Sequence, residues 1–191
     1  MDNQLKEILG SVIQAIGTVL SAIGSTSSIM EGESSEDLNL IGNVLQATGN
    51  ALIADGQQRI SLEKIGNEIQ AIGNSTVISG IVIHFEEKTQ QKLVITGNWL
   101  QALGAATALG DEFKDRTVAG QFYNIIGNLL QSIGNSLQAL SGIDELKNNQ
   151  STLMLNGSGT NQSLNVIGSW IQAVGAVISM LGQILEETEE K

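Results

Sequence analysis

Apolar and polar positions recur along this chain in one pattern, repeated six times. Relative to a marker glycine, aliphatic residues fall at −1, +3 and +6, and in most units at −4 and +10 as well. In the second unit these positions are Leu38, Ile41, Leu45, Thr48 and Leu52, with threonine standing in once. Steps of three and four place such residues on one face of a helix, whereas strands alternate by two. Ala, Leu and Gln favour helices, and Ser61 and Ser163 stand where an N-cap belongs. A β-solenoid with Gly-Asn turns is the rival, and the missing alternation counts against it. The pattern predicts helical units at about 4–25, 37–56, 61–84, 91–110, 119–142 and 163–185, with an acidic tail at 186–191.

Each unit carries the same polar and small residues. The first glycines are Gly10, Gly42, Gly66, Gly97, Gly127 and Gly168. Seven residues later come Gly17, Gly49, Gly73, Gly104, Gly134 and Gly175. Four residues after each first glycine stands a glutamine: Gln14, Gln46, Gln70, Gln101, Gln131 and Gln172. The consensus reads I-G-N-x-(I/L)-Q-A-φ-G-N, where φ is usually aliphatic. A glycine inside a helix costs about 1 kcal/mol relative to alanine. Twelve of them need compensation, and close backbone approach along a small-residue seam supplies it. Spacing by seven keeps that seam facing one partner. Six such helices joined end to end predict an all-α domain over residues 1–191. The expected architecture is an antiparallel helical bundle or a short α-solenoid, with the twelve glycines packing helices together.

At 100° per residue, the glutamines and their Asn/Ser neighbours form a narrow polar stripe, and most other positions are apolar, Ala or Gly. Charge avoids the units. Within the windows from −4 to +10 the only charged residues are Lys6, Glu7, Glu63, Lys64 and Glu68. Extended uncharged flanks are uncommon on water-soluble monomers. They point to self-association or to burial against a protein partner. The bland alternative is a glutamine stripe that faces water.

The net charge of −11 disfavours nucleic acid and anionic membrane surfaces. Only six aromatic side chains are present, Phe85, Phe113, Phe122, Tyr123, Trp99 and Trp170, too few to build a base-stacking platform. There is no cysteine, which excludes disulfides and thiolate metal sites, and no proline, which suits long helices. Uncharged stretches are long enough to span a bilayer, yet each is interrupted by Asn, Gln or Ser, and mean hydropathy is +0.10. A membrane is therefore disfavoured, and a cytoplasmic location is expected. The first residues are not basic, as a secretory signal would require.

The repeat style is similar to that of the glycine-rich repetitive protein families of unknown function found in Bacillus and its relatives. The resemblance implies a bacterial intracellular protein and carries over no functional residues.

Chemistry is scarce. His84, the only histidine, has no nucleophile or orienting group beside it in sequence, so a structural or surface role is expected. There is no nucleophile elbow, phosphate-binding loop or zinc motif. The acidic clusters Glu31–Asp37 and Glu186–Glu190 lack calcium-loop spacing and are expected to be a solvated linker and tail. The stretch Ile143–Ser163 reads as a connector in which Leu153, Met154 and Leu155 could dock a partner. No catalytic residue, metal, cofactor or small-molecule substrate is expected. The expected function is structural or scaffolding, through self-association or protein binding. The alternatives are a membrane-active or pore-forming protein, and a protein-binding inhibitor or adaptor.

Overall fold

The computed structural model describes residues 2–26, 29, 32–112, 120–151 and 158–189. The chain is all-α. Its helices are α1 (Asn3–Ser25), α2 (Glu33–Gly56), α3 (Leu62–Val82), α4 (Glu87–Glu112), α5 (Gln121–Ser151) and α6 (Ser158–Glu189). Each predicted unit lies on one helix, and the β-solenoid does not form.

Consecutive helices pack antiparallel as three hairpins, α1 with α2, α3 with α4 and α5 with α6. The hairpins join through α2–α3 and α4–α5, and α6 returns against α1. That last contact closes a ring of six helices, so the molecule is a bundle and not an open solenoid.

Helix ends depart from the sequence reading where polar residues continue a helix rather than break it. The expected connector 143–163 is helical over Ile143–Ser151 and again from Ser158. Leu153, Met154 and Leu155 lie outside the described residues. The acidic linker is largely helix: Glu33 and Glu36 occupy the first turn of α2, where carboxylates complement the helix dipole. Gly32 precedes them at φ 65°, a left-handed conformation that glycine adopts without strain. The acidic tail is also helix through Glu189. Ser61 caps α3, its hydroxyl accepting from the Lys64 amide at 2.9 Å.

Glycine faces glycine along every hairpin. The pairs are Gly10 with Gly49, Gly17 with Gly42, Gly66 with Gly104, Gly73 with Gly97, Gly127 with Gly175 and Gly134 with Gly168. A Cβ added at any of the twelve would lie 2.5–2.8 Å from the facing glycine's carbonyl oxygen. Only hydrogen fits there, and the helices approach closely enough for Cα–H···O contacts across the seam.

Candidate functional site

The bundle is inverted relative to a water-soluble protein. Its largest fully buried side chains are Gln131, Asn50, Asn74, Asn135, Thr18, Ser11 and Ser169, all polar. Among the described residues, the buried apolar side chains are alanines except for Ile53, Val77 and Ile95. The other bulky aliphatic and aromatic side chains among the described residues are half-buried or exposed. Leu9 and Ile16 of α1, Ile41 and Val44 of α2, and Ile72 of α3 are exposed. So are Trp99 and Leu103 of α4, Leu129 and Ile133 of α5, and Ile167, Trp170 and Val174 of α6. Every helix contributes to this rim.

The six repeat glutamines converge on the axis, each 4 % exposed or less, so the polar stripe does not face water. Gln172 Nε2 donates to Gln46 Oε1 at 2.8 Å and to Gln101 Oε1 at 3.2 Å. Its own Oε1 accepts from Gln138 Nε2 at 2.9 Å. Gln14 Nε2 donates to Gln131 Oε1 at 2.9 Å. Two shorter residues extend the network: Gln46 donates to Ser21 Oγ at 3.0 Å and Gln131 to Ser179 Oγ at 3.1 Å. Satisfied carboxamides are what allow polar groups to be buried at all, since an unpaired one costs about 1–3 kcal/mol.

Hydroxyls on the outer surface are satisfied differently. Thr48, Ser75, Thr76, Ser79 and Thr107 each donate to the carbonyl four residues earlier, at 2.8–2.9 Å. Each keeps its hydrogen bond within its own helix and needs no solvent.

Charge collects at the two ends of the ring. At the end that holds the start of α1, Lys6 pairs with Asp55 at 2.7 Å. Beside them Glu7, Glu63, Glu186 and Glu187 form an acidic mouth to the axis. Gln183 Nε2 donates to Glu187 Oε1 at 3.2 Å, and Asn124 Nδ2 to Glu186 Oε2 at 3.0 Å. Burial, reinforced by Glu187, Glu63 and Glu186, pushes the Glu7 carboxyl up to about 8. Burial and Glu186 push Glu63 up to about 7, with Asp111 and Glu187 adding to the effect and Gln57 opposing it. Glu186 and Glu187 therefore belong to this mouth and not to a free tail. The sequence signal for it was that Glu7 and Glu63 are two of the five charged residues within the six repeat windows.

His84 is exposed just beyond α3, and the described residues contain no cluster of three metal-ligating side chains. The arrangement offers a hydrogen-bonding axis, an apolar rim and charged ends. No curated protein and no solved structure matches the chain. A family's sequence model does match, over residues 5–180. The chain therefore belongs to a family of unknown function, DUF6944.

Proposed function

We propose that this is a non-catalytic membrane protein whose six helices cross a lipid bilayer, apolar rim against the acyl chains and polar axis within. The observation that carries the reading is the inversion: carboxamides fill the centre while Leu, Ile, Val and Trp side chains cover all six flanks. In water this distribution opposes the hydrophobic effect, whereas in lipid it is the favoured one. The cytoplasmic scaffold expected from the sequence would need partner copies on all six flanks at once. A bilayer covers them all.

Dimensions and charge agree. The uncharged runs 8–25 in α1 and 93–110 in α4 are each about 27 Å long at 1.5 Å per residue, against a hydrocarbon core of about 30 Å. Helices α1 and α6 are long and apolar enough to cross a membrane by hydropathy alone. The others fall short because their inward faces carry Asn and Gln, the residues that disfavoured a membrane in the linear sequence. Glu68 of α3 is exposed, six residues past the start of its helix, and sits toward the charged end of the band.

An even number of crossings puts both ends of the helical array on one side. That side carries Lys6, Arg59 and Lys64, and the sequence joining α4 to α5 adds Lys114 and Arg116. The other side carries Lys88, Lys92 and Lys147. The excess supports a cytoplasmic position for the α1 start. A bacterial source, implied by the repeat style, goes with this reading.

The chain has no cysteine, so single cysteines report cleanly. Asn3→Cys and His84→Cys variants, expressed in a bacterium, are treated in intact cells with a membrane-impermeant maleimide. The expected result is a membrane-fraction protein labelled at position 84 and shielded at position 3 until lysis. Recovery in the soluble fraction as a monomer or oligomer would overturn the membrane reading and return the scaffold to first place.

A further inference from the structure

We propose that the axis of the bundle is a water path, closed to ions, with Asn50, Asn74 and Asn135 at its constriction. The inference rests on the membrane reading. It starts from two cavities on the axis. The larger, about 110 Å³, is lined from all six helices, including Asn43, Gln46, Asn98, Gln138 and Asn165. The smaller, about 20 Å³, lies toward the acidic mouth and is lined by Gln14, Asn67, Asn128 and Gln131 among others. A polar cavity holds water once it exceeds about 10–15 Å³ and offers two to four hydrogen-bonding partners. By that measure the small chamber takes one water and the large one several.

The constriction lies between them. On α2, Asn50 stands between Gln46 of the larger chamber and Ile53 of the smaller. On α3, Asn74 stands between Val77 and Asn67, and on α5, Asn135 stands between Gln138 and Gln131, in the same sense. All three asparagines are 1 % exposed or less. Asn50 Oδ1, Asn74 Oδ1 and Asn135 Nδ2 each lack a hydrogen-bond partner in the protein. Buried polar atoms in native proteins are almost always paired, with protein or with water. Two acceptors and one donor, left open between the two chambers of a carboxamide-lined axis, suit a molecule that both donates and accepts. Water is the smallest.

An ion is a poorer guest. The larger chamber is lined by amides, hydroxyls and aliphatic groups, with no formal charge to replace a hydration shell. Among the residues that line the two cavities, the one carboxylate is Glu63, in the smaller chamber toward the acidic mouth.

The test uses the full chain in sealed vesicles of neutral phospholipid, with insertion verified by the cysteine labels above. Vesicle shrinkage under a sucrose gradient is followed by light scattering, and potassium flux is followed in parallel. The wild-type protein is expected at least to double the shrinkage rate of protein-free vesicles without carrying potassium. Asn135→Ala, which widens the constriction, should raise it further, and Asn74→Leu, which places an apolar group there, should return it toward the protein-free rate. Inserted wild type and Asn135→Ala that both match protein-free vesicles would overturn the water path and leave the membrane reading standing. Potassium flux in step with water would overturn the exclusion of ions. Failure to insert would overturn both readings.

Discussion

Alanine at Gly134 should loosen the α5–α6 hairpin even though it strengthens the α5 helix. A Cβ there would lie 2.5 Å from the Gly168 carbonyl oxygen, 2.6 Å from the Gln172 amide nitrogen and 2.9 Å from the Gln172 Cα. All three are backbone atoms, so no rotamer change relieves them, and α6 must retreat. Restoring ordinary contact needs a movement on the order of 0.5–1 Å, which forfeits a quarter to a half of each dispersion contact along the seam. Overpacking of this kind costs about 1–3 kcal/mol, against about 1 kcal/mol returned by helix propensity. The net expectation is destabilisation by up to about 2 kcal/mol. Gly110→Ala is the internal control, because its Cβ would overlap only the flexible Cδ1 end of Leu62. It should be neutral or stabilising by up to about 1 kcal/mol. Reversible unfolding in mixed micelles, titrated with a denaturing detergent and followed by circular dichroism, ranks the three proteins. If Gly134→Ala is at least as stable as the wild type, the seam does not depend on bare backbone, and the explanation for the twelve glycines fails.

Three further outcomes are expected. Stability should fall as pH rises. Glu7 and Glu63 hold their protons up to about 8 and about 7 in the fold but release them near 4.5 when unfolded, so the folded state binds more protons across that interval. Melting temperatures from pH 4 to 9 should decline mainly between about 4.5 and 8, and Glu7→Gln should flatten the slope; a rise over the same interval would contradict the acidic mouth. Gln172→Leu strands the groups it binds on Gln46, Gln101 and Gln138 and should cost about 2–4 kcal/mol, read by the same detergent titration; a neutral result would mean that the glutamine layer is not held together by these bonds. Trp99, 41 % exposed on the rim, should lose fluorescence in vesicles of acyl-brominated lipid. Undiminished emission from a Trp170→Phe background would place that flank away from the acyl chains.

The helices were legible in the sequence because each carries its own period: the glycines of α3 alone, Gly66, Gly73 and Gly80, fix a face and an orientation. Six helices joined end to end pointed to antiparallel packing, with a bundle and a short solenoid both open. The inward turn of the glutamines was harder to read. At Gln14 or Gln131 the local pattern fits a stripe facing water as well as one facing the axis, because amphipathicity tells two faces apart without saying which is inside. Burial of Asn50, Asn74 and Asn135 depends on six helices closing a ring, which no single repeat encodes. The acidic mouth was hidden for a related reason. Glu7 and Glu187 are 180 positions apart along the chain and meet only because α6 returns to α1.

The glycine pairing has one consequence for how each hairpin finds its alignment. Sliding α1 against α2 by a single seven-residue step, about 10 Å, sets Gly10 opposite Gly56, Gly17 opposite Gly49 and Gly24 opposite Gly42. The teeth mesh again, and with one more glycine pair than before. The middle of the hairpin therefore cannot tell these two alignments apart, and the choice falls to the extremities. There Lys6 meets Asp55, and the Ser35 hydroxyl donates to the Gly24 carbonyl at 2.6 Å. The hairpin is a rack of equivalent notches, and its polar end contacts are the latch that selects one.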